Sequence, residues 1–124
     1  MQASDDVAFT GTLRTNDVEV SLSDGSGSGG NAFNFIGNPY TSYISVSELI
    51  EEDNVATGNE ALLSQQTIWL WDESANAGAG GYVPKNLAAD LEIAPGQGFF
   101  VLTGSAGTFD ITEAMQSHSA DTFF

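Results

Sequence analysis

The chain has 124 residues, of which 41% are hydrophobic. It contains 17 Asp and Glu residues but only two basic residues, Arg14 and Lys85, so its formal net charge is −15. This length predicts one domain over residues 1–124, and the hydrophobic content excludes a disordered tail. The charge excludes nucleic acid and anionic membranes as partners, because both are bound through Lys and Arg, and no apolar run is long enough to insert into a membrane.

The first two predicted strands form a β-hairpin. Apolar and polar residues alternate over 7–13 and again over 18–22, and residues 15–17 have the composition of a turn. The Gly- and Ser-rich residues 23–31 then predict a flexible loop. A phosphate-binding loop is not favoured, because neither a lysine nor a helix follows, and Asp24 is the only carboxylate that a calcium loop could use there.

A third strand and one short helix come next. Residues 32–36 predict a strand that ends at Gly37-Asn38-Pro39-Tyr40, because proline has no N–H to donate to a sheet. The pattern Ser45-x-x-Glu48 is a capping box and predicts a helix over 46–53. A further helical turn is expected around residues 60–63.

The most apolar strand is Thr67-Ile68-Trp69-Leu70-Trp71-Asp72. A strand has a period of two, so Trp69 and Trp71 share one face while Ile68 and Leu70 share the other. Apolar residues on both faces predict a strand in the middle of a sheet that is covered on both sides. A short strand over residues 81–83 follows and is expected to end at Pro84.

The last third of the chain predicts two more strands. Pro95-Gly96-Gln97-Gly98 is a turn whose two glycines can adopt positive φ. Residues 99–102 are the expected partner of residues 68–71, residues 109–111 form another strand, and residues 113–116 a helical turn. Short strands joined by glycine-rich turns predict an all-β fold, an antiparallel β-sandwich or jelly-roll-like domain with one short helix.

Three segments resemble one family of domains. They are FNFIGNPY at 33–40, TIWLWD at 67–72 and IAPGQGFFV at 93–101, followed by an end piece at 109–115. Together they are similar to β-rich accessory domains of large secreted Bacteroidota proteins, often found next to a sorting domain of the type IX secretion pathway. Thr41 and Trp69 depart from that pattern, which often has proline and tyrosine there.

The resemblance implies an extracellular or cell-surface parent protein, a β fold and no catalytic residues. The polar start of the chain and its end on Phe123-Phe124 also lead us to expect a segment of a larger multidomain protein, with Met1 added for expression. On this basis we predict a non-catalytic structural or adhesion module. Its expected partners are neighbouring domains of the same protein or a polysaccharide.

The alternative hypothesis is a carbohydrate-binding module that stacks sugars on Trp69 and Trp71. Tyr82 would extend this platform, with Tyr40 and Tyr43 as further aromatic candidates, and Asp72, Gln97 and Asn38 would bond sugar hydroxyls. The competing interpretation, which packing favours, buries both indoles between two layers of the fold. Asn38 and Gln97 also have a structural interpretation, since turn amides often satisfy buried backbone groups.

Catalytic and metal sites have little support in the sequence. The chain has no cysteine and one histidine, His118, which excludes Cys–His catalysis and a structural zinc site. Asp72 and Glu73 are adjacent on a strand, so they point to opposite faces and form no catalytic pair. A calcium site that used Asp24, Asp72 or the acidic residues 51–53 is a hypothesis that rests on the net charge alone, and no cofactor is expected otherwise.

Overall fold

The computed structural model describes residues 10–26, 32–50, 59–86 and 91–117. Within these ranges the chain is an all-β, sandwich-like fold of antiparallel strands with a few short helices. The strands are β1 (Val18–Leu22), β2 (Phe33–Gly37), β3 (Tyr43–Ser45), β4 (Leu63–Asp72), β5 (Gly81–Asn86), β6 (Glu92–Ile93), β7 (Gly98–Thr103), β8 (Gly107–Ile111) and β9 (Gln116–Ser117). The helices are α1 (Val46–Ile50), α2 (Asn59–Leu62), α3 (Ala75–Gly78) and a 3₁₀ turn (Glu113–Met115).

The largest sheet has four strands in the order β2-β7-β4-β5. Its centre is the antiparallel pair of β7 and β4, in which Ile68 lies opposite Val101 and Trp69 opposite Phe100. The predicted pairing of residues 68–71 with residues 99–102 is therefore confirmed. β4 begins four residues earlier than predicted, at Leu63, and its register with β7 shifts between Leu63 and Ile68.

Two smaller sheets and α1 lie against one face of the four-stranded sheet. One pairs β1 with β8, and the other has the order β6-β3-β9. The large sheet contributes alternate residues of its strands to the common core: Ile36, Ile68, Leu70, Phe99 and Val101. The facing elements contribute Leu22, Tyr40, Ile44, Val46, Leu49, Ile50, Ile93, Phe109, Ile111 and Met115. The four-stranded sheet thus has an inner face on this core and an outer face.

The predicted N-terminal hairpin is wrong in its pairing. β1 pairs with β8, with Val18 opposite Ile111, and residues 10–13 are not in a strand, while residues 7–9 lie outside the described ranges. The burial of the side chains gives the reason. Phe109 and Ile111 are fully buried, whereas Leu13 is 66% exposed. Pairing with β8 therefore lets β1 pack its apolar side chains against the core, which pairing with residues 10–13 would not.

Pro84 does not end its strand as predicted. β5 continues to Asn86, and Pro84 lies opposite Trp69 of β4. β5 is an edge strand, where a missing N–H does not interrupt the sheet if it faces away from the neighbouring strand. The proline also blocks further strand addition at this edge.

The helical predictions are met in part. The 3₁₀ turn at Glu113–Met115 confirms the predicted helical turn, and α2 confirms the one expected around residues 60–63, so there is more than one short helix. α1 begins where the capping box predicts it, with the Glu48 amide donating to Ser45 Oγ over 3.4 Å, and residues 51–53 of the predicted helix lie outside the described ranges. Of the predicted loop at 23–31, residues 27–31 also lie outside them.

Asn38 joins the turn after β2 to the segment before β7. Its side chain is almost fully buried, and its Nδ2 lies within hydrogen-bond distance of three backbone carbonyl oxygens, of Ser42 (2.8 Å), Ile93 (3.1 Å) and Ala94 (3.2 Å). Its Oδ1 accepts from the Tyr40 amide over 2.9 Å. This confirms the structural interpretation of the Asn38 amide as a group that satisfies buried backbone.

Replacing Asn38 is expected to destabilise the domain. Asn38→Ala removes the partner of two buried backbone groups, the Tyr40 amide and the Ile93 carbonyl oxygen, each costing about 1–3 kcal/mol, so we expect a loss of about 2–6 kcal/mol in the free energy of unfolding. Urea unfolding followed by circular dichroism measures this loss. Asn16→Ala is the control, because Asn16 is exposed. A loss no larger than that of the control would contradict the role assigned to Asn38.

Candidate ligand-binding face

The two faces of β4 differ sharply in exposure. Ile68 is 0% exposed and Leu70 6% exposed on the inner face, while Trp71 on the outer face is 53% exposed and Trp69 is partly buried. The prediction that this strand is covered on both sides is therefore wrong for the described residues. So is the interpretation that buries both indoles, because Trp71 lies outside the core.

Aromatic side chains from all four strands of the large sheet lie on its outer face. We call this set the aromatic face. Its members are Phe33 and Phe35 of β2, Phe100 of β7, Trp69 and Trp71 of β4, and Tyr82 of β5. Their positions follow from the register, since Phe35 and Trp69 both lie opposite Phe100, and Trp71 lies opposite Tyr82.

The rings of the aromatic face contact one another across strands. Ring centroids are 4.9 Å apart for Phe35 and Phe100, 4.9 Å for Phe100 and Tyr82, 5.2 Å for Tyr82 and Trp71, and 5.0 Å for Phe33 and Trp69. Three of these pairs meet edge to face, with interplanar angles of 75–84°, which is a favourable arrangement of aromatic quadrupoles. The surface is therefore ridged rather than one flat platform.

Two glycines fix the position of exposed rings. A Cβ on Gly98 would lie 2.1 Å from Phe35 Cζ, and a Cβ on Gly80 would lie 2.4 Å from Trp71 Cζ2. Both rings thus lie directly against backbone. Gly80 also has φ of +80°, and it follows a turn in which Asn76 and Ala77 have positive φ. Of the two glycines in the turn at 95–98, only Gly96 has positive φ, while Gly98 serves to admit the ring of Phe35.

A hollow of about 360 Å³ opens on the aromatic face. Its walls are Phe33, Trp69, Tyr82 and Phe100. Small-molecule sites occupy about 300–1,000 Å³, so this hollow is of a size for one small ring or side chain. The indole N–H and the phenolic O–H are the polar groups that its four lining side chains provide.

The structure brings together only some of the residues predicted for the site. Trp69, Trp71 and Tyr82 lie on the aromatic face, whereas Asp72 has the inward parity of Ile68 and Leu70 at the end of β4. Gln97 accepts from the Ala94 amide through Oε1, at 3.0 Å, as its structural interpretation predicts. Asn38 and Tyr40 are buried, and Tyr43 is on β3 in another sheet.

Phe33, Phe35 and Phe100 are members of the face that the sequence analysis did not single out. Two features of the sequence could have indicated them. Phe33 and Phe35 alternate with Ile36, which places them on the opposite face of the strand, and the predicted pairing of residues 99–102 with residues 68–71 places Phe100 beside Trp69 or Trp71.

The Asp72 carboxylate is held by a local turn. Its Oδ1 accepts from the Ser74 hydroxyl over 2.6 Å and from the Ser74 amide over 2.8 Å. These hydrogen bonds favour the ionised form and hold the pKa of Asp72 below its ordinary value of 3.8, and nearby Lys85 lowers the pKa further. Asp24 accepts from Ser26 in the same way, and its pKa is lowered for the same reason.

The described part of the chain has neither a cluster of metal-binding side chains nor a helix suited to cross a membrane. No group of three or more His, Cys, Asp or Glu side chains there is placed to hold a metal ion. None of the described helices has the length and apolar composition needed to cross a membrane. The acidic residues 51–53 of the calcium hypothesis lie outside the described ranges.

Substitutions on the two faces of β4 should have different costs. Ile68→Ala removes a fully buried side chain and should lower the free energy of unfolding by about 2–5 kcal/mol. Trp71→Ala loses contacts with the ring of Tyr82 and the backbone at Gly80 on a partly exposed surface, so we expect a loss of about 1 kcal/mol. Urea titrations of the two variants measure the difference. Equal losses would place Trp71 in the core and contradict the assignment of the faces.

The pKa of Asp72 should respond to Ser74. Ser74→Ala removes the hydroxyl donor, so the pKa of Asp72 should rise toward 3.8, as measured by an NMR pH titration of its carboxyl carbon. Because the folded-state pKa is lowered, ionised Asp72 stabilises the fold above its unfolded pKa, and this stabilisation is lost as the pH falls through the lowered value. Ser105→Ala is the control. An unchanged pKa in Ser74→Ala would refute the assigned cause.

The chain was compared with known proteins in three ways. No protein-family model matches it, and neither the curated proteins nor the solved structures contain a significant match. The likeness to accessory domains of secreted Bacteroidota proteins thus stays a prediction from the motifs.

Proposed function

We propose that this domain is a non-catalytic adhesion module of a secreted or cell-surface multidomain protein, and that it binds polysaccharide on the aromatic face. The observation that carries the proposal is the pair Trp71 and Tyr82, 53% and 47% exposed, which lie in contact beside an aromatic hollow. Exposed rings of this size on a folded surface commonly mark a binding site.

The chemistry of the aromatic face suits a sugar ring. Pyranose rings have apolar C–H faces that stack against aromatic rings, and their hydroxyls form hydrogen bonds at the edge of the contact. The indole N–H groups of Trp69 and Trp71 and the hydroxyl of Tyr82 are donors of the kind that such hydroxyls accept from. The hollow has room for one ring, while neighbouring sugars of a polymer would lie on the ridges around it.

The fixed positions of the rings favour binding energetically. Trp71 lies against the backbone of Gly80 and the ring of Tyr82, and Phe35 lies against Gly98. Side chains that are already ordered lose little conformational entropy when a ligand binds, so more of the contact energy contributes to affinity.

Two further parts of the proposal have separate support. For the non-catalytic part, the four side chains that line this hollow include no carboxylate and no histidine that could serve as acid or base there. The extracellular location and the larger multidomain parent are supported by the motif resemblance described above.

A second candidate is a structural module whose aromatic face packs against a neighbouring domain of the same protein. Three phenylalanines favour it, since Phe33, Phe35 and Phe100 have no group that could bond a sugar hydroxyl, and Phe35 is 61% exposed. Contacts between domains of one chain often bury apolar surface of this kind.

Affinity gel electrophoresis on a panel of soluble polysaccharides tests the first candidate. We expect retardation of the wild-type domain by at least one polymer. Trp71→Ala and Tyr82→Ala should each weaken the binding about tenfold, which corresponds to about 1.4 kcal/mol. Leu13→Ala is the matched control, because Leu13 is an exposed hydrophobic residue outside the aromatic face.

A domain that no polysaccharide retards would refute the glycan proposal. The structural candidate would then predict that acrylamide quenches Trp71 fluorescence in the isolated domain but not in the longer parent protein.

A further inference from the structure

The few positive charges of the chain lie away from the aromatic face. Arg14 is in the segment before β1, and its charge acts on Tyr40, whose hydroxyl lies 2.8 Å from the Ile111 carbonyl oxygen on β8. Lys85 is on β5, but it lies opposite Ile68, and strand alternation places it on the face opposite to Tyr82. Since these are the only Lys and Arg residues in the chain, the aromatic face as described has no lysine or arginine to pair with an anionic ligand.

Negative charge lies beside one end of the aromatic face. Glu73 is exposed and follows Trp71 by two residues, whereas Asp72 has the inward parity and lies near Lys85. The rest of the molecule adds to this field, because its formal net charge is −15. A ligand that carries carboxylates or sulfates would thus be repelled as it approaches.

The lining of the hollow also disfavours anions. All four of its side chains are aromatic, and the face of an aromatic ring carries the negative part of the quadrupole. Sugar C–H groups are attracted to such a face, while a carboxylate or sulfate is not. An anionic group placed there would also lose its hydration with no opposite charge to compensate for the loss.

From these observations we infer that the aromatic face selects uncharged polysaccharides and excludes polyuronates and sulfated polysaccharides. The inference rests on the proposed function and specifies its ligand class. The selection has two parts. Aromatic stacking provides affinity for any sugar ring with an open C–H face. The negative charge of the surroundings lowers the affinity for anionic polymers by repulsion.

Matched polymer pairs test this selectivity by isothermal titration calorimetry. Hydroxyethyl cellulose and carboxymethyl cellulose share one backbone, as do dextran and dextran sulfate, so within each pair the main difference is charge. For a pair whose neutral member binds, we expect at least about tenfold weaker binding of the anionic member at low salt. The difference should narrow as salt is raised, because the Debye length falls from about 10 Å at 0.1 M to about 3 Å at 1 M.

A variant separates the two parts of the selection. Glu73→Gln removes the exposed charge next to this end of the aromatic face without changing a ring. It should strengthen binding of the anionic member by several-fold and leave binding of the neutral member unchanged. Trp71→Ala should weaken binding of the neutral member in either background.

The outcomes distinguish this inference from the proposal on which it rests. Equal or tighter binding of the anionic members, lost in Trp71→Ala, would overturn the selectivity and leave glycan binding in place. Binding of no polymer across a broad neutral and anionic panel would overturn both. Binding of neutral members alone, lost in Trp71→Ala, is the expected result and supports both.

Discussion

The pairing of β4 with β7 is the constraint on which the rest of the molecule depends. It places Ile68 beside Val101 on the inner face and Trp69 beside Phe100 on the outer face. Both faces of these strands are apolar, so hydrophobicity alone does not distinguish them. A slip of one residue would turn every side chain of a strand to the other face, placing indoles in the core and aliphatic residues outside. Shape decides the outcome, because the compact aliphatic side chains and Phe99 fit against α1 and the small sheets.

The turn motifs maintain this pairing from one end of the sheet. The backbone N–H of Asn38 donates to the backbone carbonyl oxygen of Gln97 over 3.0 Å. This hydrogen bond lies next to the pair of Gly37 and Gly98, with which the pairing of β2 and β7 ends. Gly98 in turn leaves space for the ring of Phe35. The segments FNFIGNPY and PGQGFFV therefore act as one unit that aligns the strands and positions a ring of the aromatic face. This structural role accounts for the residues of the two segments without any ligand, whereas no structural role accounts for the exposure of Trp71.

Sequence reasoning located most strands but not all of their partners or their exposed sides. Uninterrupted apolar runs identified Ile68–Trp71 and Phe99–Leu102 as strands, and this shared character predicted that they pair. Alternation identified Val18–Leu22 as a strand but gave it the wrong partner, since the local pattern does not say which distant strand offers a buried neighbour. It also grouped Trp69 with Trp71 correctly but could not say whether their face was covered, which depends on elements far away in the chain. Phe33, Phe35 and Phe100 were overlooked because phenylalanine in a strand usually indicates a core.

The pairing of β1 with β8 has a consequence for how the domain forms. Val18 lies opposite Ile111, so the first described strand finds its place only after nearly the whole chain is available. Such non-local contacts give a high contact order and slow folding, because the entropy of closing a long loop opposes the pairing until the core is assembled. A polypeptide emerging from a ribosome or a translocation channel cannot complete this sheet until its C-terminal strands have emerged. Until then Leu22 lacks its neighbours on β8, and the nascent domain depends on the turns and the β4–β7 pair for its early structure.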